Sequence, residues 1–135
     1  MNILQTVLAG ILAAVAAWGI NYALLEMGFR KRALLIYIGT LGEEILKTGM
    51  SFLMGVPLAG VHAVFGIVEA GWELSGASRG RGRGGLRPAL AAVAGHTLFG
   101  LLASLALVRS GRADLALVIG FLAHLVWNRL VLYLH

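Results

Sequence analysis

The polar residues that can do chemistry in this sequence sit inside its most apolar stretches. Glu43, Glu44 and Lys47 lie together; Glu69 and Glu73 follow, then His96, then His124 and Asn128. These residue types activate water. A carboxylate can take its proton, and imidazole or amide groups can stabilise the oxyanion that forms when water attacks a carbonyl. Two histidines and a carboxylate can also hold zinc with one place open for water. Glu69, His96 and His124 are that candidate metal set, with Glu43 acting on the bound water. In the metal-free version Glu43 works on water directly, while His124 and Asn128 donate to the oxyanion. No HExxH pair on one helix decides between the two.

Spacing groups these residues by face. Glu43 and Lys47 are four apart with the acid first, the favourable order for an ion pair on a helix. Phe65, Glu69 and Glu73 share a face, as do His96 with Gly100 and His124 with Asn128. The glycine lets a neighbour come close. Glu44 is rotated about 100° from Glu43, so it is expected to aim elsewhere and, with Lys47, to act as a supporting charge. His62 falls near the outer end of its stretch and reads as interfacial. Trp72 and Glu73 sit at the other boundary, Arg129 can snorkel, and His135 is expected to be solvated.

The elements that carry them follow from composition. The 135 residues are 59% hydrophobic and only 13% charged, contain no cysteine, and have a mean hydropathy of +0.88. That excludes a disordered chain, a disulfide-stapled domain and a zinc-thiolate module. It leaves too little polar material to cover a water-soluble domain. The expected class is all-α: a polytopic membrane protein, a single bundle of about five transmembrane helices over residues 3–25, 33–52, 57–74, 88–108 and 113–134. The runs are too long and unalternating for a β-barrel. The first reads as a retained helix rather than a signal peptide, since no basic segment precedes it and Arg30, Lys31 and Arg32 follow. Its Ala9, Ala13 and Ala17, with Gly10 and Ala14 beside them, form a small-residue face suited to close helix packing.

An ionised side chain at mid-membrane costs about 2.5–3.5 kcal/mol even on the mildest scale. The buried acids and bases must therefore face each other, a metal or a water-filled cavity. At about 1.5 Å per residue, Glu43, Glu69, His96, His124 and Asn128 all fall about 8–15 Å from one end of their spans, so four helices share one layer.

Charge sets orientation. Arg30, Lys31 and Arg32 fill the first gap, and Arg79, Arg81, Arg83 and Arg87 the third; the fourth has Arg109, Arg112 and Asp114. Basic loops stay in the cytoplasm, so the N-terminus is expected outside and the C-terminus in the cytoplasm. The net charge of +5 is thereby a topology signal, and no nucleic-acid partner is expected despite the Arg-Gly run.

Four frames occur in order: Glu43-Glu44-Ile-Leu-Lys47, Phe65-Gly-Ile-Val-Glu69, His96-Thr-Leu-Phe-Gly100 and His124-Leu-Val-Trp-Asn128. Together they resemble the PrsW-like branch of the CAAX-protease and bacteriocin-processing superfamily of intramembrane proteases. Family members are usually longer. The CAAX-type branch carries His and Arg where this chain has Glu69 and Lys47, which favours the PrsW-like branch and sets prenyl-protein specificity aside. The resemblance implies Glu43 as the general base, and His96 and His124 as metal ligands or oxyanion donors. It gives Glu69 the second-motif polar place, and makes Asn128 an oxyanion donor or an orienter of His124. It also implies a prokaryotic inner-membrane protein that cleaves a membrane-anchored protein or peptide, for example an anti-sigma factor. Two other functions use the same groups: a proton or divalent-cation transporter, and a non-catalytic scaffold for partner helices. The transporter requires polar residues across the full membrane depth, whereas the outer halves of the last two spans are apolar. The small size favours a homo-oligomer.

Overall fold

The computed structural model of the protein describes residues 2–28, 32–76 and 85–133. They form five helices: α1 (Ile3–Glu26), α2 (Arg32–Met54), α3 (Leu58–Ser75), α4 (Leu86–Ser110) and α5 (Ala113–Tyr133). The Asn2 side chain accepts from the Leu4 N–H at 3.1 Å and opens α1. Ser51 ties the α2–α3 corner, its hydroxyl donating to the Val56 carbonyl at 2.6 Å. Gly76 and Gly111 end α3 and α4 with φ of 67°, a left-handed conformation that glycine adopts without strain. Pro57 precedes α3 instead of opening it, and α4 starts at Leu86 rather than Pro88. Pro88 thus lies in the first turn, where no intrahelical N–H is required.

The packing closes a ring. α1 lies against α3, α3 against α4, α4 against α5, α5 against α2, and α2 against α1; α2 also meets α3. Sequence dictates how close the members come. Ala9, Gly10, Ala13, Ala14 and Ala17 are the buried residues of α1, the face expected from their spacing. A Cβ on Gly10 would stand 2.5 Å from Val64 of α3. Across the α3–α4 contact Gly66 makes room for His96, and Gly100 for His62.

The surface is inverted relative to a water-soluble protein. Leu53 and Val108 are 80% and 82% exposed, while Glu44, Lys47 and His62 are 0% exposed. Three helices, α1, α4 and most of α5, are long and apolar enough to cross a membrane. α2 and α3 carry the central charges. The chain is an all-α, polytopic membrane protein. Arg30, Lys31, Arg79, Arg81, Arg83 and His135 lie outside the described residues.

A buried polar centre inside the helix ring

Lys47 anchors the centre. Its ammonium donates to Glu44 Oε1 at 2.5 Å and to His96 Nδ1 at 3.2 Å, and stands 4.5 Å from the centroid of the Phe65 ring. All its directions are thereby occupied by a carboxylate, an imidazole nitrogen and an aromatic face. His96 Nε2 continues the chain to Glu69 Oε2 at 2.5 Å. On the other side, His124 Nδ1 meets the same Glu44 Oε1 at 2.8 Å, and its Nε2 lies 3.8 Å from Glu43 Oε2. Farther along α5 the Asn128 amide donates to Thr40 Oγ1 at 3.1 Å, and Arg129 donates to the Tyr37 hydroxyl at 2.5 Å.

Aromatic rings hold the imidazoles. Phe99 stacks on His124 with centroids 4.8 Å apart and planes 20° from parallel. Phe65 and His96 are 4.9 Å apart, and His96 meets His124 edge-on at the same centroid distance. Glycine makes the close approaches possible. A Cβ on Gly120 would fall 2.7 Å from Glu44 Oε2, and one on Gly95 2.7 Å from the Trp127 indole nitrogen. Glu44 is pinned by Lys47 and His124 and cannot retreat. Gly120→Ala should therefore lower stability by about 1–3 kcal/mol through overpacking. Gly42→Ala, with nothing within 4 Å of its Cβ, should leave the unfolding midpoint unchanged or raise it. Thermal unfolding of both variants in detergent checks the contrast.

Three cavities surround the centre and share walls. One of about 160 Å³ lies among α3, α4 and α5, lined by Glu69, Glu73, Pro88, His96, His124 and Asn128 among others. A second of about 240 Å³ includes Trp18, Asn21, Glu43, Glu69 and Trp72. A third of about 250 Å³ includes Asn21, Leu25, Ile36, Thr40, Glu43 and Asn128. Their lining residues run from the middle of the helices into the second halves of α1, α3 and α5 and the first halves of α2 and α4. The centre therefore opens toward the bundle end where α1 and α3 finish and α2 and α4 begin. At the opposite end Leu58, Ala103 and Ala116 form an apolar plug.

The structure brings together Glu43, Glu44, Lys47, Glu69, His96 and His124, with Asn128 one turn away. It corrects three expectations. Lys47 pairs with Glu44, three residues away, instead of Glu43. Glu44 does not aim elsewhere: its Oε1 meets His124 Nδ1 at 2.8 Å, while Glu43 Oε2 lies 3.8 Å from Nε2 of the same ring. His62 is not interfacial; it is wholly buried, with Nε2 3.6 Å from Glu44 Oε2. Glu44 Oε2 and both His62 nitrogens have no hydrogen-bond partner among the described residues. His62 shares a helical face with Phe65, Gly66 and Glu69, and that periodicity was the available signal. Asn21 and Thr40 line the same cavities and were also missed; neither is ionisable, so neither is marked by the cost of burying a charge.

The candidate metal sets differ from the expected one. Ligand atoms of Glu43, His96 and His124 lie within 4.8 Å of one another, as do those of Glu44, His62 and His96. Glu69, expected as a ligand, instead bonds His96. To bind a metal, either set would have to free a nitrogen of His96 from its present partners. Both depend on His96, whose two ring nitrogens are taken by Lys47 and Glu69. A positive charge, the Lys47 ammonium, already stands against His96 and Glu44. Glu43, which lines two of the cavities and has His124 Nε2 3.8 Å away, is the carboxylate of the centre that water can approach.

No protein-family model, curated protein or solved structure matches this chain.

Proposed function

We propose that the protein is an intramembrane peptidase of the PrsW-like kind, within the CAAX-protease and bacteriocin-processing superfamily. It hydrolyses a peptide bond of a membrane-anchored protein or peptide without a bound metal. The observation that carries this reading is the position of Glu43. Its carboxylate is only partly buried, forms a wall shared by two cavities, and has an imidazole nitrogen 3.8 Å away. Glu44, in contrast, is sealed against Lys47 and cannot meet water. Glu43 is the general base, and a substrate carbonyl lies between it and Asn128, whose amide faces two of the cavities. Glu69, His96 and Lys47 hold the centre in register. The four sequence frames supply the family assignment. The apolar plug at the far end argues against a transport path through the ring.

Water attack has an isotopic signature. In water enriched in oxygen-18, the purified protein in liposomes should leave one labelled oxygen in the new C-terminal carboxylate of a membrane-spanning peptide. A cleaved product without label would overturn direct hydrolysis.

In this reading the protein lies in a prokaryotic inner membrane with the N-terminus outside, and the cavities face the cytoplasm. A reporter fused after His135 should then be active in the cytoplasm. A periplasmic signal would invert the topology and place the cavities on the outer side.

A further inference from the structure

The resemblance allows His124 to be an oxyanion donor, but its hydrogen bonds make that role unavailable. Glu44 Oε1 accepts from the Lys47 ammonium at 2.5 Å, an arrangement that holds the carboxylate in its charged, acceptor-only form. His124 Nδ1 lies 2.8 Å from that same oxygen, so Nδ1 carries the proton. A neutral imidazole has only one N–H. Nε2 is therefore a bare lone pair, and it points at Glu43 Oε2, 3.8 Å away. A bare nitrogen receives protons and cannot donate to an oxyanion. The stacked Phe99 ring and the edge-on His96 fix this orientation. His96 is the opposite case. Its Nδ1 accepts from Lys47, which has only donors, so the proton is on Nε2 and goes to Glu69.

We infer that His124, oriented by Glu44, is the proton carrier of the reaction: it receives at Nε2 the proton that Glu43 removes from water and delivers it to the leaving amine. This rests on the peptidase reading. The water oxygen bonds to the carbonyl carbon as its proton passes to Glu43, which turns or works through one water to hand the proton to Nε2. The imidazolium so formed is stabilised by the Glu44 carboxylate. The C–N bond then breaks, its electron pair goes to nitrogen, and Nε2–H supplies the proton, giving a free amine and a new carboxyl group. Glu43 and His124 are restored. Glu44 is a positioning residue that acts through His124.

Two measurements test this. The first is nitrogen-15 NMR of the histidine rings of the whole protein in lipid nanodiscs, assigned by backbone-to-ring correlation in the unaltered chain. The expected result is opposite tautomers, with the proton of His124 on Nδ1 and that of His96 on Nε2. A proton on His124 Nε2 overturns the inference, whether or not the protein cleaves anything. The second compares a membrane-spanning peptide with its thioester analogue, whose thiolate leaves without needing a proton. His124→Gln should slow amide cleavage by about 10²–10⁴-fold while thioester cleavage stays within about tenfold. Equal loss on both substrates would mean oxyanion stabilisation and overturn the inference, as would unimpaired amide cleavage. If the unaltered protein cleaves neither substrate, the peptidase reading fails, and the tautomers still decide whether His124 is poised to accept a proton.

Discussion

Replacing Lys47 with methionine is expected to lower stability by about 3–5 kcal/mol, the usual cost of breaking a buried ion pair from one side. Methionine keeps most of the length and removes the ammonium. Glu44 is then left as a carboxylate with essentially no exposure, facing only His124 and His62. His96 loses its donor at Nδ1, and the Phe65 face loses its cation. The effect should be strongly non-additive. Adding Glu44→Gln to Lys47→Met removes the stranded charge, so the double variant should be more stable than Lys47→Met alone, with a coupling of about 1–3 kcal/mol between the sites. Unfolding of the four proteins of this cycle in one detergent measures it. A Lys47→Met protein as stable as the unaltered chain would show that the pair contributes nothing net.

Glu43→Gln should have the reverse profile. Glu43 makes no ion pair with Lys47 and borders two cavities, so its neutral amide is tolerated and the fold survives. In the proposed mechanism what is lost is the base. Removing a general base typically slows the reaction about 10²–10⁴-fold, which should fall on kcat with little change in KM. Glu44→Gln has no such separation: it weakens the Lys47 and His124 contacts together, so stability and activity should fall in parallel. Two adjacent glutamates thus give two different phenotypes, one kinetic and one structural.

Much of this was legible in the sequence, because membrane spans and buried charges have strong signatures. The five helices follow from long apolar runs. The small-residue face of α1 follows from the Ala9, Ala13 and Ala17 repeat. The convergence of Glu69, His96 and His124 follows from the cost of burying each alone. Assignments that depend on helix rotation were not legible. Lys47 is a helical neighbour of both Glu43 and Glu44, and sequence alone favours the four-residue spacing; in the packed bundle Glu44 is buried beside Lys47, while Glu43 lines two cavities. His62 was misplaced for a related reason. Counting residues from the end of α3 gives its depth, yet α4 extends past that end and covers it, with Gly100 against the His62 ring. The tautomers of His96 and His124 were out of reach as well. They depend on which nitrogen each neighbour touches.

The proposed mechanism has the Glu43 carboxylate activate water to cut a peptide bond. It is tested most directly by reconstituting the unaltered and Glu43→Gln proteins in liposomes with a library of membrane-spanning peptides and reading the products by mass spectrometry. Helix binding is measured in the same samples. The expected result is cleavage by the unaltered protein, its loss by at least about a hundredfold in Glu43→Gln, and equal binding by both. Full cleavage by Glu43→Gln would contradict the mechanism; intact binding with no cleavage by either protein would make the chain a scaffold for partner helices instead of an enzyme.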